Sequence, residues 1–338
     1  FPDKSRRAAS FQSCQAPMTG ATLHIFNPDT DFALGYDGDN FTPKANIISL
    51  RRRLALLPSL WAAPGDAILL LDAPEKNMLY ADKVKEKTLR LVSVEDLDDN
   101  DFAAIKPWGW NPTIRRLLER HNISSALLPS PGRMEALKEL AHRRTTVAFH
   151  QLVDTPSELL PCELTSMADI EEWCEAHPGG YLKAPWSSSG RGVRRVLPGD
   201  NLTLTRWLTG TLKRQKSVMA EPDWKQEFDF ATEWDIHHGE AHFMGYSLFE
   251  VDSRAQYKGN SRASQQEILS LLQSRGWTER LLQKQRYAIN RIIAPRYSGP
   301  AGIDALYSPT LGFNLCVEIN LRLTMGLINI LKTGNTTL

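Results

Sequence analysis

The chain has 338 residues, too many for one small core and suited to two or three packed subdomains. Its 40 Lys and Arg against 39 Asp and Glu leave a formal charge of +1, so nothing draws the whole chain to nucleic acid or to an anionic membrane. No apolar run approaches the ~20 residues of a membrane span.

Residues 1–17 are polar, carry Lys4, Arg6 and Arg7, and lack the apolar core of a signal peptide. They read as a disordered extension, or as read-through ahead of Met18. Thr22–Phe26 is a predicted strand, ended by the turn-rich Asn27-Pro28-Asp29-Thr30-Asp31. Asn46 to Leu57 has apolar residues at near-helical spacing until Pro58 stops it. Ala67–Leu71 and Arg90–Val94 are further strands, and Pro112 to His121 is a helix with proline in its first turn. This alternation predicts an open α/β domain over residues 18–128.

Residues 129–338 read as a second unit, which begins at the turn-forming Ser130-Pro131-Gly132. Arg133 to Phe149 reads as one helix and Met167 to Ala176 as another. Tyr181-Leu182-Lys183 and Val218–Glu221 are strands, with a helix over Leu202 to Leu212 between them. Phe228–His237 and Ala241–Val251 make a hairpin about Gly239, Ser264 to Ile293 is helical with a break near Gly276, and Ile303–Tyr307 pairs with Leu315–Leu321. The apolar run Leu327-Ile328-Asn329-Ile330-Leu331 starts a pattern that stops abruptly, as a clipped end would. The four cysteines (Cys14, Cys162, Cys174, Cys316) form no C-x-x-C pair, which fits reduced thiols in a cytoplasmic protein.

Two segments carry chemistry. After the strand holding Lys183 come Ser187, Ser188, Ser189, Gly190 and Gly192, small residues whose backbone N–H groups can wrap a polyphosphate. No G-K-[ST] follows and no strand–GxGxxG–helix is present, which excludes a Walker A loop and argues against a dinucleotide fold. Far downstream, a turn centred near Leu311 would set Asp304 opposite Glu318, with Asn320 on the same face. Two adjacent carboxylates repel unless a cation or a proton lies between them, and Mg²⁺ takes such oxygens together with nucleotide phosphates. Arg322 continues that face and can grip an anion in a fork. A surface hairpin with solvated acids explains the alternation equally well, but not the alignment of the three oxygen donors. Asn27, Asp29 and Asp31 follow the first strand, where open α/β sheets bind ligands, but turn chemistry accounts for them as well. Other motifs have ordinary readings: Arg51-Arg52-Arg53 as a solvated helix turn, the histidines at 237, 238 and 242 as hairpin residues, and Lys258 to Arg262 as either a basic loop or an anion site.

Together these segments resemble the ATP-grasp superfamily. Tyr181-Leu182-Lys183 with Ser189-Gly190-Arg191-Gly192-Val193 is similar to its lysine strand and glycine loop, Val218-Met219-Ala220-Glu221 to its hinge strand, and Asp304 with Glu318-Ile319-Asn320-Leu321-Arg322 to its E-x-N-x-R element. The resemblance implies an open α/β domain followed by a two-lobed ATP-grasp domain, with a smaller lobe over 129–220, a larger one over 221–338, ATP between them and two Mg²⁺ ions on its phosphates. It also implies a small-molecule carboxylate activated as an acylphosphate and captured by an amine. Lys183 and Arg322 would be catalytic, and the backbone of Ala220 would read adenine. Glu221 and Asp223 would hold ribose, while Asp304, Glu318 and Asn320 would hold metal. The family's earlier lysine is missing; His142-Arg143-Arg144 stands there, so Arg143 or Arg144 would replace it, Arg144 being carried as the phosphate ligand. A kinase-like phosphotransferase and a non-catalytic ATP-binding module are the rival readings.

Overall fold

Three separate sheets organise the chain. The computed structural model describes residues 20–332 except 39, 76–77, 100, 189, 198–200 and 252–256. The extension expected over 1–17, Cys14 and Ser189 therefore lie outside the described residues.

The first sheet is parallel. Its strands β1 (Thr22–Ile25), β2 (Ala67–Leu70), β3 (Arg90–Ser93) and β4 (Ala104–Pro107) stand in the order β3-β2-β1-β4. Helices α1 (Thr30–Leu34), α2 (Ala45–Arg53), α3 (Ala81–Glu86) and α4 (Pro112–Arg120) connect them. The run expected to reach Leu57 ends at Arg53, and Pro58 instead sits in a 3₁₀ turn, Leu57–Leu60. Proline at the first position of α4 gives up no hydrogen bond, and the Asn111 side chain accepts from Ile114 N at 3.0 Å. Strand order reverses between β1 and β4, so the loop after β1 lies where open parallel sheets present ligands.

Helices α5 (Pro131–Leu140) and α6 (Thr145–Leu152) replace the single helix expected over Arg133 to Phe149. The break falls at His142-Arg143-Arg144, where Arg143 N donates to Pro185 O at 3.1 Å rather than to its own helix. The second sheet, in the order β5-β8-β6-β7, contains β5 (Cys162–Leu164), β6 (Tyr181–Lys183), β7 (Val193–Arg195) and β8 (Val218–Glu221). Helices α7 (Met167–Ala176) and α8 (Asn201–Gln215) accompany it.

The third sheet is antiparallel, β11-β10-β9-β12-β13, from β9 (Phe228–His237), β10 (Glu240–Val251), β11 (Tyr257–Asn260), β12 (Gly299–Ser308) and β13 (Gly312–Asn320). Phe230, Trp234, Ile303 and Ile319 bury one face against α5, α6, α9 (Gln265–Ser274) and α10 (Glu279–Ile292). Residues 131–152, placed by the sequence in the smaller lobe, thus pack on the third sheet, with α6 against β13. The last helix, α11 (Met325–Lys332), packs on β10 and shares a core with Phe26, Leu57 and Trp108, which joins the first sheet to the third. No helix among the described residues is long and apolar enough to cross a membrane.

Candidate active site

Register on the third sheet determines what its polar face carries. Ser308 pairs with Gly312, so the β12–β13 turn centres on Thr310, one residue earlier than expected. A register shift between Asp304 and Leu306 then restores Asp304 opposite Glu318 and Gly302 opposite Asn320. Ala231 lies beside Asp304 and Glu233 beside Gly302 on β9, so Asp229 and Glu233 share the acidic face.

Three cations meet these acids. Lys183, only 6% exposed, donates from Nζ to Glu221 Oε2 at 2.5 Å. Arg143 donates from Nη2 to Glu318 Oε1 at 2.5 Å, and from Nη1 to Ala184 O at 2.5 Å and Ser187 Oγ at 2.8 Å. Arg322 donates from Nε to Asp31 Oδ2 and from Nη2 to Asn320 Oδ1, each at 2.8 Å. The first turn of α1, the loop after β6, the α5–α6 break and the end of β13 therefore converge on one largely buried charged network. Arg143 links the Lys183 strand to Glu318, since it bonds both Glu318 and the carbonyl of Ala184, the residue after Lys183.

Sequence reasoning placed Lys183, Ser187, Glu221, Asp304, Glu318, Asn320 and Arg322 among the site residues, and all seven lie in or beside this network. Ser187 and Ser188 are buried, and the loop is folded so tightly that a Cβ on Gly192 would lie 2.2 Å from Ser187 Oγ. Gly190 has a φ of 70°, which glycine adopts without strain. Ala220 lies inside β8 between Cys162 and Leu182. Two expected ligands stand apart. Arg144 is half exposed, with Nη1 3.7 Å from Glu163 Oε2, and it is Arg143 that reaches Glu318 and Ser187. The Asp223 carboxylate is taken up by Arg195 and Lys225 at 2.9 and 2.7 Å. Trp186, in the same loop, is pinned by Gln215 and by Lys138 O, and it packs, partly buried, against the core of the third sheet.

Asp229, Glu233 and His150 carry no motif in the sequence, and Asp31 reads there as turn chemistry or a ligand-side residue with no partner named. The acids of β9 carried a signal, since Asp229, Glu233 and Asp235 take odd positions while Phe230, Trp234 and Ile236 take even ones.

Electrostatics distinguish the members. Burial, then the charge of Glu318, pushes the Asp304 carboxyl well above the usual range. Burial would raise Glu318 too, but the Arg143 charge and hydrogen bond, with Lys183 and Arg322, hold it below its ordinary value. Burial lifts Asp229 to about 6 and Glu233 to about 7. Asp304 and Glu318 are hard oxygen donors on facing strands, and Asn320 hydrogen-bonds Asp304. Such a set suits Mg²⁺, and a cation would relieve the repulsion that now raises Asp304. Among the described residues no three His, Cys, Asp or Glu side chains group as a metal cage, so an ion here would lean on ligand oxygens as well. Lys183 and Arg143, beside a loop of small residues, suit phosphate.

Two neutral histidines underlie the site. Burial pushes His150 down to about 4 and His142 to about 3, from an ordinary 6.5. Because the unfolded chain protonates first, the stability they contribute is complete above pH 6.5 and drains as pH falls toward 4 and then 3. We expect His150→Gln to remove about 3 kcal/mol of this acid-induced loss, read by urea denaturation at pH 7 and 4. Parallel wild-type and variant curves would refute it.

No protein-family model matches the chain, and no curated protein matches its sequence. Solved structures do match its fold. Biotin carboxylase from Campylobacter jejuni, in a β,γ-ATP complex, superposes with a TM-score of 0.56 at 14% identity, over 93% of this chain and 70% of that one. The biotin carboxylase domain of Hydrogenobacter thermophilus 2-oxoglutarate carboxylase, with MgADP and bicarbonate, gives 0.56 at 13%, over 94% and 70%. D-alanyl-alanine synthetase A from Vibrio cholerae gives 0.51 at 14%, over 95% of both chains. Superposition on these structures gives the chain the ATP-grasp fold.

Proposed function

We propose that the protein is a cytoplasmic, ATP- and Mg²⁺-dependent ligase that activates a small-molecule carboxylate as an acylphosphate for capture by an amine, forming ADP. The observation that carries this reading is the network in which Lys183, Arg143 and Arg322 meet the aligned Asp304, Glu318 and Asn320. Asp304, Glu318 and Asn320 would hold up to two Mg²⁺ ions, which when bound supply charge neutralisation on the triphosphate. Lys183, Arg143 and the 187–192 loop would hold the phosphates, and Glu221 the nucleoside side. Arg322 would neutralise charge on the transferring group, and its hold on Asp31 places it beside the first sheet's ligand-presenting loop. No nucleic acid or membrane is needed.

Before nucleotide binds, each of the three cations is taken by a carboxylate. Phosphate must therefore compete with Glu221 and Glu318, and metal on Glu318 would free Arg143. Nucleotide and Mg²⁺ should consequently bind cooperatively. With Mg²⁺ present, ATP at about 100 times its Kd should stabilise the fold by about 2.7 kcal/mol. Incubation with pooled carboxylates and amines should release ADP and phosphate in equal amounts. ADP with a phosphoester and no free phosphate would identify a phosphotransferase, and binding without ADP from any pool would identify a non-catalytic module.

A further inference from the structure

Glu233 is 1% exposed, yet it is a carboxylate in the middle of the third sheet. Thr324 Oγ1 donates to its Oε2 at 2.7 Å, and Ser247 Oγ donates to its Oε1 at 3.0 Å. Two glycines make room for it. A Cβ on Gly326 would stand 2.2 Å from Oε1, and one on Gly302 would stand 3.0 Å from Oε2. Thr324 in turn accepts from Leu327 N at 2.9 Å, so the Glu233 contact and the start of α11 share one hydroxyl. Among the described residues its hydrogen-bond partners are these two hydroxyls, so burying the carboxyl group is expensive and an apolar residue would fill the space at less cost.

What it holds is the segment that carries Arg322. From Asn320 to Thr324 the chain is fastened at three consecutive points. Arg322 is bonded to Asp31, Leu323 N donates to Trp108 O at 2.8 Å, and Thr324 is bonded to Glu233. The first two anchors belong to the first-sheet unit. Glu233 alone of these three ties the segment to the strand beside Asp304.

We infer that Glu233 is a positioning residue, which through Thr324 fixes Arg322 and Asn320 relative to Asp304 on the catalytic face. This rests on the ligase reading for its kinetic consequence, though not for its structural one. Displacing an arginine by about 1 Å can cost roughly a hundredfold in rate.

The test compares the full-length protein with its Glu233→Ala, Glu233→Gln and Thr324→Val variants, and with the double variant of the first and last. Glu233→Ala and Thr324→Val should each lower kcat for ADP release by about ten- to a hundredfold. The KM for ATP should stay within about twofold, and the double variant should be no worse than either single one. Glu233→Gln keeps an acceptor for Thr324 and should largely restore kcat. Without nucleotide, hydrogen exchange should rise in residues 320–328 and remain unchanged in the β9–β10 hairpin. Unaltered kcat in both Thr324→Val and Glu233→Ala, exchange raised across the whole sheet, or failure of glutamine to rescue would overturn the inference. A wild type that releases no ADP would sink the ligase reading instead, and the exchange pattern would still decide this one.

Discussion

Replacing Arg143 with alanine should cost about 3–5 kcal/mol of stability and abolish nucleotide-dependent turnover, while Arg144→Ala should change stability by less than ~0.5 kcal/mol. The two residues are adjacent and identical, so the contrast tests placement alone. Arg143 is 3% exposed and bonded to Ala184 O, Ser187 Oγ and Glu318. Truncation leaves Glu318 without its main counter-charge beside an already crowded Asp304, and frees a loop carbonyl and hydroxyl inside the protein. The penalty is the uncompensated buried charge rather than the intrinsic worth of the pair. Arg143→Lys would retain charge but cannot span Ala184, Ser187 and Glu318 from one planar fork, so it should recover stability only in part. Urea denaturation of the three variants, with ADP release as second readout, decides the matter. Equal effects at 143 and 144 would show that the break between α5 and α6 does not deliver its arginine to the site.

That arginine illustrates where sequence legibility ended. Local signals placed most of the strands, although the short β4, β5 and β11 went unread. Alternation marked β9, β10, β12 and β13, the Ser264 capping box opens α9, and Gly276 ends the break before α10. Their pairing put Asp304 beside Glu318, although the turn was misplaced by one residue and a register shift made up the difference. Helical periodicity, by contrast, ran straight through residues 141–144. Nothing local records that Pro185 O, over forty residues away, competes for the Arg143 amide. The partner of Asp31 was illegible for the same reason. The turn-forming role of Asp31 is written in its neighbours, whereas its bond to Arg322 spans 291 residues of chain. Glu233 lacked a motif and became visible only once sheet order set Gly302 beside it and α11 above it. Elements follow from nearest-neighbour chemistry. The partners of charged side chains follow from topology.

Asp304→Asn should separate stability from metal use more cleanly than any change at Glu318. Burial and the neighbouring Glu318 push the Asp304 carboxyl well above its ordinary range, so without a cation it resists ionising. Asparagine reproduces that neutral shape and can still accept from the Asn320 amide. Folding stability without nucleotide or metal should therefore change by less than ~1 kcal/mol, because one neutral group replaces another of the same shape. Function should respond in the opposite way. A neutral amide is a poor Mg²⁺ ligand beside a carboxylate, so the Mg²⁺-dependent part of nucleotide stabilisation should vanish and turnover should fall at least ~100-fold. Glu318→Ala would confound the two effects, since it also strips Arg143 of its 2.5 Å partner. Melting curves with ATP, with Mg²⁺ and with both measure the coupling directly. If Asp304→Asn leaves the Mg²⁺ enhancement of ATP binding intact, the β12–β13 face does not hold the metal. If the ligand-free variant instead loses several kcal/mol, Asp304 is ionised in the resting protein, and Arg143 or Arg322 must be neutralising both carboxylates together.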